Sequence, residues 1–515
     1  MLILFAVLAA FATMLCARVS LQYYQLESYQ FGGYYRTLKR NFLRAFLPGV
    51  CVTAAGMAAS FLGFWAAYAA EIVVAAVAYI LQRRVKAKKP LVITVRVKRL
   101  IGFMAAVCLA LSAGLLYGTR ALALPLLLPA LAPVWLALAA LAALPLEKLI
   151  QRLYMRDARR RLKTRPDLIR IGITGSYGKT STKFMLATIL GEKYRVLATP
   201  GSFNTSMGVT RIIRERLLPD HQVFIAEMGA RHMGDIRLLC RLVKPKYGLL
   251  TSVGPQHLET FRSQENICRE KFELVRAIPE DGAMVFASDD GLCEALYRKC
   301  TAPKHLSGAH HEGLGLFAKN VEVGPWGSRF LLCDGENETP CQTRLLGAHN
   351  IDNLLLACTA ARVIGLDLET IARGASKTQP IEHRLQLLSS PGGVTVIDDA
   401  FNANPVGAKG AMEVLRSFAG GRKIVVTPGF VEMGAKEAEC NRALGEQIAE
   451  AADIAVLVGR RHTAPIAEGL RAKGFAGENL HVVASLDEST RLLGGILRPG
   501  DVVLYENDLP DNYQE

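Results

Sequence analysis

Apolar and polar positions divide the chain into a first third of long apolar runs and a remainder of short ones. Residues 2–17, 46–82, 101–118 and 121–146 are apolar almost throughout, with basic stretches between them. A bilayer-crossing helix needs about 20 apolar residues, or about 17 when short. The second run is therefore two helices divided near Gly63, and residues 1–146 predict about five spans. Residues 1–17 lack the basic start and small-x-small cleavage site of a signal peptide and count as a span. From Arg170 onward, short β-rich runs alternate with helical ones. Residues 171–174, 223–226, 247–253 and 283–287 form one series of strands, followed by a helix over 351–364. Residues 394–397, 423–427, 454–458, 481–484 and 502–505 form a second series. This alternation predicts an α/β class with mostly parallel sheets flanked by helices. The domains expected are a membrane region over 1–146, a basic connector over 147–168, a central domain over 169–385 and a Rossmann-like C-terminal domain over 386–515.

Composition adds the environment. Among 515 residues 51% are hydrophobic, and the mean hydropathy is +0.22, which excludes a disordered chain. The net charge of +15 is local: residues 1–168 hold 22 Lys and Arg against Glu27, Glu71, Glu147, Asp157 and Asp167, and the rest is slightly acidic. A nucleic-acid footprint spread over the molecule is thereby excluded. Segments 18–44, 83–100 and 147–168 carry 5, 8 and 8 basic residues, whereas 119–122 carries only Arg120. By the positive-inside rule these three segments are cytoplasmic, and so is everything after Arg170. The expectation is a multi-pass protein of the plasma or inner membrane, with membrane lipid as partner. Residues 21–35, rich in Tyr, suit either the headgroup level or an ordinary loop. Glu71, within an apolar run, suits either a functional role or a neighbouring helix, and Gly56 and Ser60 form a small-xxx-small pair. Eleven scattered cysteines without a CxxC pair support neither a disulfide framework nor a zinc ribbon.

The most informative string runs from Ile171 to Thr180 and reads IGITGSYGKT. A strand enters a glycine-bearing turn, and Lys179-Thr180 opens a helix. Backbone N–H groups and a helix N-terminus there can wrap phosphates, a Lys can reach the outer phosphate oxygens, and a hydroxyl can bind Mg²⁺. Ile173 stands where the first glycine of the usual P-loop falls. Thr174, Gly175, Ser176, Tyr177, Gly178, Lys179, Thr180 and Ser181 are the nucleotide-binding candidates. A phosphate site of this kind needs an acid at the tip of a neighbouring strand. Glu227 closes one such strand, and His257 follows the next, as a candidate second metal ligand.

These residues extend into a resemblance. Thr174 to Thr180, Asn204-Thr205, Glu227-Met-Gly-Ala, Val253-Gly-Pro-Gln-His257, Arg269-Glu-Lys271, Gly347-Ala-His-Asn350-Ile-Asp-Asn353, His383-Arg384-Leu and Ile397-Asp-Asp-Ala-Phe-Asn-Ala-Asn-Pro405 follow one another as in Mur ligases. Within that family the chain is most similar to the D-alanyl-D-alanine-adding members, over roughly residues 165–505. The resemblance implies a P-loop central domain, a C-terminal domain and an ATP-dependent ligase that joins a carboxylate to an amine through an acyl phosphate, in peptidoglycan or cell-envelope precursor synthesis. It also implies ATP and two Mg²⁺ ions. Lys179 would hold phosphates, Thr180 and Glu227 one metal, His257 the second, and Lys271 would act as a carbamate. Asn353 and Arg384 would contact ATP, and Asp399 its ribose.

The departures concern the substrate. Apolar runs stand where the family carries its UDP-sugar-binding domain. Residues 427–434 read TPGFVEMG, and Phe401 stands where Tyr is usual. The sequence after Val503 reads LYENDLPD, acidic where the family tends to carry Lys or Arg. The amine-side pocket should therefore differ in charge. The partners expected are an envelope precursor, UDP-linked or lipid-linked, and a small amine such as a dipeptide. A ligase making another amino-acid polymer and a non-catalytic ATP-binding scaffold are the alternatives.

Overall fold

The computed structural model describes residues 1–84, 90–254, 258–288, 291–308, 315–335, 337–389, 391–400, 404–431, 433–460 and 462–508. These form two compact units, Met1–Arg152 and a second that begins at Leu153.

The first unit is helical: α1 (Leu2–Cys16), α2 (Arg18–Leu26), α3 (Phe31–Arg40), α4 (Phe42–Ala59), α5 (Phe64–Arg84), α6 (Val95–Thr119) and the start of α7 (Ala132–Lys163). A 3₁₀ turn prolongs α4 to Leu62, and Gly63, at φ +111°, ends it. That positive φ suits glycine and divides the long apolar run at the expected residue. Four helical segments are long and apolar enough to cross a membrane: Phe42–Leu62, Phe64–Arg84, Val95–Thr119 and Leu124–Lys163. The pair α1 and α2, bent by 49°, makes a fifth if counted as one span. The outer surface bears large apolar side chains such as Phe11, Leu47, Val50, Val73, Val77 and Leu138, while Ala9, Ala67 and Ala75 are buried. Glu71 is fully buried and packs where a Cβ on Gly56 would lie 2.6 Å from its Cγ. Arg99 clamps Glu147 with two hydrogen bonds of 2.6 and 2.9 Å.

Two stretches take a definite form here. Most of the Tyr-rich segment is helical, in α2 and α3, and Tyr23, Tyr24 and Tyr34 are buried. Residues 147–163 are helical as well, because the charged stretch continues α7.

The second unit opens with β1 (Ile169–Thr174), α8 (Lys179–Leu190), β2 (Val196–Ala198), α9 (Ser206–Glu215), β3 (Val223–Glu227), α10 (Asp235–Val243) and β4 (Tyr247–Leu250). It continues with α11 (Leu258–Phe261), α12 (Gln264–Ala277), β5 (Ala283–Ala287), α13 (Leu292–Lys299) and β6 (Lys304–Ser307). The sheet has order β2-β3-β1-β4-β5-β6 and is parallel throughout. All five residues of β3 are buried, as expected of a strand covered on both faces. An antiparallel sheet of β7 (Phe317–Gly324), β8 (Gly327–Asp334) and β9 (Asn337–Thr343) follows, which the sequence reading did not foresee. Helices α14 (Ala348–Ile364) and α15 (Leu368–Ser376) pack on the same core as α8.

The last part holds β10 (Gln386–Ser389), β11 (Thr395–Asp399), α16 (Pro405–Ser417), β12 (Lys423–Thr427), α17 (Glu437–Ala451), β13 (Ile454–Val458), α18 (Ala464–Ala472), β14 (Leu480–Val483), α19 (Leu486–Ile496) and β15 (Val502–Glu506). Its sheet order is β10-β11-β15-β12-β13-β14, parallel except for β10. The carboxyl ends of β11 and β15 place Asp399 and Glu506 side by side.

Candidate active site

The turn from β1 to α8 is held by backbone geometry. Gly175 has φ +156°, and a Cβ there would lie 2.0 Å from Thr251 Oγ1, just beyond β4. The turn is stitched to that neighbouring segment. Ser176 N–H donates to the Ser252 carbonyl at 2.9 Å, Tyr177 N–H to Ser252 Oγ at 2.7 Å, and Ser176 Oγ to the Gly254 carbonyl at 3.0 Å. Thr174 Oγ1 donates to the Met228 carbonyl at 2.9 Å, tying β1 to the end of β3. Gly178, at φ +77°, leaves a gap that Asn353 fills: a Cβ would lie 2.4 Å from Asn353 Oδ1. That same oxygen accepts from Thr182 Oγ1 at 3.2 Å, so α14 buttresses the start of α8.

Lys179 folds over the turn, donating to the carbonyls of Gly175 and Ser176 at 2.7 and 2.8 Å. Burial holds its amine down to about 8, with Glu227 opposing the fall and Arg384 adding to it. Glu227 is buried at the tip of β3 and collects three donors. Its Oε2 accepts from Thr180 Oγ1 at 3.0 Å and from Lys183 Nζ at 2.9 Å, and its Oε1 from Asn204 Nδ2 at 3.0 Å. Lys183 is itself fully buried and also donates to the Gly201 carbonyl.

This donor set fits a Mg²⁺–nucleotide. Mg²⁺ takes one or two carboxylates and completes its shell with phosphate oxygens and water, and Thr180 and Glu227 offer a hydroxyl and a carboxylate beside a helix N-terminus. No group of three His, Cys, Asp or Glu converges among the described residues. His257 lies outside the described residues. Lys271, on α12, is buried, and burial together with Lys179 lowers its amine to about 7, opposed by Glu270 and Asp235. A neutral amine is the form that adds CO₂. Glu270 beside it accepts from the N–H groups of Gly234 and Ile236, both at 2.7 Å, at the start of α10.

Arg384 reaches the site electrostatically. Burial lowers its pKa while Asp399, Glu227 and Glu506 raise it, and its charge also bears on Lys179. Asp399 Oδ1 accepts from Leu385 N–H at 3.2 Å, and burial raises its carboxyl against the pull of Arg384. His349, at the start of α14, meets α16: a Cβ on Gly410 would lie 2.5 Å from its Nδ1. Burial, with Arg384 nearby, lowers the His349 imidazole to about 4, so it is neutral.

The nucleotide-binding candidates, Glu227 and Asn353 therefore meet through hydrogen bonds and close packing, and Arg384, Asp399 and Lys271 through charge. The sequence gives Lys183 no role, and Glu506 only a place in the acidic run expected at the amine side. Lys183 sits one helical turn after Lys179, which puts both on one face of α8, and that spacing was the available signal.

Comparison with known proteins places this geometry. Residues 173–361 match the Mur ligase middle domain, and residues 383–505 match the Mur ligase glutamate ligase domain. The UDP-N-acetylmuramoyl-tripeptide–D-alanyl-D-alanine ligase of Mycobacterium tuberculosis H37Rv is 31% identical over 356 residues, 65% of this chain and 69% of that protein. The ligase of the same description from Bacillus subtilis 168 is 29% identical over 280 residues, and the match spans 60% of its length. Among solved structures, MurF from Acinetobacter baumannii superposes with a TM-score of 0.64 at 26% identity, covering 70% of this chain and 78% of that one. MurF from Thermotoga maritima in complex with ADP gives 0.61 at 23% identity, covering 70% and 80%, and shares the fold.

Proposed function

Because the chain belongs to the Mur ligase family, we propose that it is an ATP-dependent amide ligase of cell-envelope precursor synthesis, with addition of a D-Ala-D-Ala dipeptide to a muramoyl tripeptide as the nearest reaction. The observation that carries this reading is the convergence of Thr180, Lys183 and Asn204 on Glu227 beside the Lys179 turn. That geometry supports the following assignment of roles. Lys179 and the turn amides would hold the phosphates, Thr180 and Glu227 would hold Mg²⁺, and Arg384 would support the charge that spreads over the moving phosphoryl group. His257 and a carbamate on Lys271 are assigned to a second Mg²⁺. Carbamate formation joins the neutral Lys271 amine to CO₂ and releases one proton. Asn353 and Asp399 belong to the nucleotide.

The reaction has two steps. A substrate carboxylate oxygen attacks the γ-phosphorus and ADP leaves. The amine nitrogen then attacks the acyl carbon, phosphate leaves, and the nitrogen loses its proton. Enclosure of the acyl phosphate between the central and C-terminal domains protects it from water.

The apolar helices of the first unit support a second element of the reading. We place them in the plasma or inner membrane, with the ligase domains cytoplasmic, and assign the acceptor to an envelope precursor that is UDP-linked or lipid-linked. Anchoring would raise the effective concentration of a bilayer-held acceptor. One experiment tests the ligase reading directly. The full chain in detergent, given ATP, Mg²⁺, UDP-muramoyl tripeptide and D-Ala-D-Ala, should release ADP and yield the ligated product by mass spectrometry. Lys179→Ala should lower ADP release about 10²-fold or more. Equal turnover in the variant would overturn the P-loop assignment.

A further inference from the structure

The end of α7 carries a charged face that the roles above leave unused. Residues 153–163 of this helix open the second unit. One side of the segment is docked: Ala158 and Leu162 are buried in one core with Val209, Ile212 and Ile213 of α9. Arg214, in the last turn of α9, donates to the Asp157 carboxylate at 2.7 Å and lies over the Tyr154 ring at 4.0 Å, and Arg161 donates to the Arg214 carbonyl at 3.0 Å. At 3.6 residues per turn, the opposite side presents Arg156, Arg159, Arg160 and Lys163 within about 100° of one another. All four are exposed, and their side chains make no hydrogen bond or ion pair among the described residues.

Elsewhere on this unit surface cations have acids beside them: Arg165 pairs with Asp167, Arg211 with Glu215, and Arg237 with Glu273. The exposed face of α7 does the reverse. Arg156 and Arg160, and again Arg159 and Lys163, are like charges four residues apart, which repel on a helix. The helix dipole favours cations in the last turn and so accounts for Arg160 and Lys163, but not for Arg156 and Arg159. Exposed Leu153 begins the segment, and the apolar part of α7 precedes it. A row of such cations directly after an apolar stretch is complementary to a layer of phosphates beside hydrocarbon. The face is also remote from the reacting atoms. Its docked side meets the last turn of α9 and, through Arg165, the carbonyls of Leu218 and His221 ahead of β3, so the length of β3, about 15 Å, separates it from Glu227.

We propose that the exposed face of residues 153–163 is a docking surface for the anionic phospholipid headgroups of the bilayer, on which Arg156, Arg159, Arg160 and Lys163 bond lipid phosphates and tether the second unit to the membrane surface. The inference rests on placing the first unit in the membrane and is independent of the ligase activity.

The test uses the full chain in nanodiscs of phosphatidylcholine alone or of phosphatidylcholine mixed with phosphatidylglycerol, and follows the labelling of individual arginines by phenylglyoxal with mass spectrometry. Arg156, Arg159 and Arg160 should label about threefold more slowly, or slower still, when phosphatidylglycerol is present, and high salt should restore their rates. Arg298 on α13 and Arg442 on α17 should not respond to the lipid. Arg159→Gln combined with Lys163→Gln should bring the protection of Arg156 below about twofold, and an unfolding midpoint equal to that of the wild type reports that the variant is folded. Equal labelling of the three arginines in the two lipids would overturn the proposal. Protection in detergent by inorganic pyrophosphate or by UDP-muramoyl tripeptide, to the extent seen with phosphatidylglycerol, would assign the face to a soluble diphosphate and overturn it as well. A chain that does not enter nanodiscs would overturn the membrane placement, and this inference with it.

Discussion

Lys183 and Glu227 show how much a single buried ion pair can govern. Both side chains are essentially inaccessible, and Lys183 is the only full charge bonded to Glu227 among the described residues. Removing one partner of a buried pair leaves the other uncompensated, at a cost of about 3–5 kcal/mol. Lys183→Met should therefore lower the thermal unfolding midpoint of the protein by several degrees, measured by differential scanning calorimetry, and nucleotide binding should protect it less. An unchanged midpoint would mean that Glu227 finds another donor. Lys271 supplies a pH prediction. Its folded pKa, about 7, lies below the ordinary lysine range, so between these values the unfolded chain holds a proton that the folded chain has released. Its contribution to stability accordingly rises with pH across that window. In the same direction, incorporation of ¹³C-labelled CO₂ should increase as pH climbs through about 7, and Lys271→Met should abolish it.

At the scale of elements, the turn between β1 and α8 has no tolerance for a side chain at Gly175, where both φ and the 2.0 Å approach of Thr251 exclude one. Gly175→Ala should abolish binding of a fluorescent ATP analogue while circular dichroism stays unchanged. Retained binding would show that the turn can rebuild. Element by element, what could be read in advance depended on burial. Strands β5, β12 and β13 coincide with their expected residues because strands covered on both faces are continuous apolar runs. Strands β7 to β9 escaped because they mix Lys319, Glu322, Arg329, Glu338 and Gln342 with their apolar positions, a pattern that polar loops share. The helices α2 and α3 escaped for the opposite reason. Their Tyr and Gln residues look amphipathic in sequence, and only packing buries Tyr23, Tyr24 and Tyr34.

For the whole molecule, charge and hydropathy are unevenly divided. Basic residues concentrate before residue 168, while the remainder is nearly neutral. If the first unit lies in lipid, its apolar surface rather than its charge holds it there. The full chain should then stay with the membrane fraction in high salt, which screens charge, and leave it only in detergent; release by salt alone would make it a peripheral protein. The sequence by itself determined the apolar helices and their break at Gly63, the α/β alternation, and the P-loop and acid motifs, because each is written in neighbouring residues or in a short period. Only the tertiary structure decided that Lys183 answers Glu227, that His349 meets Gly410, and that Glu506 is buried beside Asp399. These pairs are far apart in the chain, and what joins them is strand register and helix packing, which local periodicity does not encode.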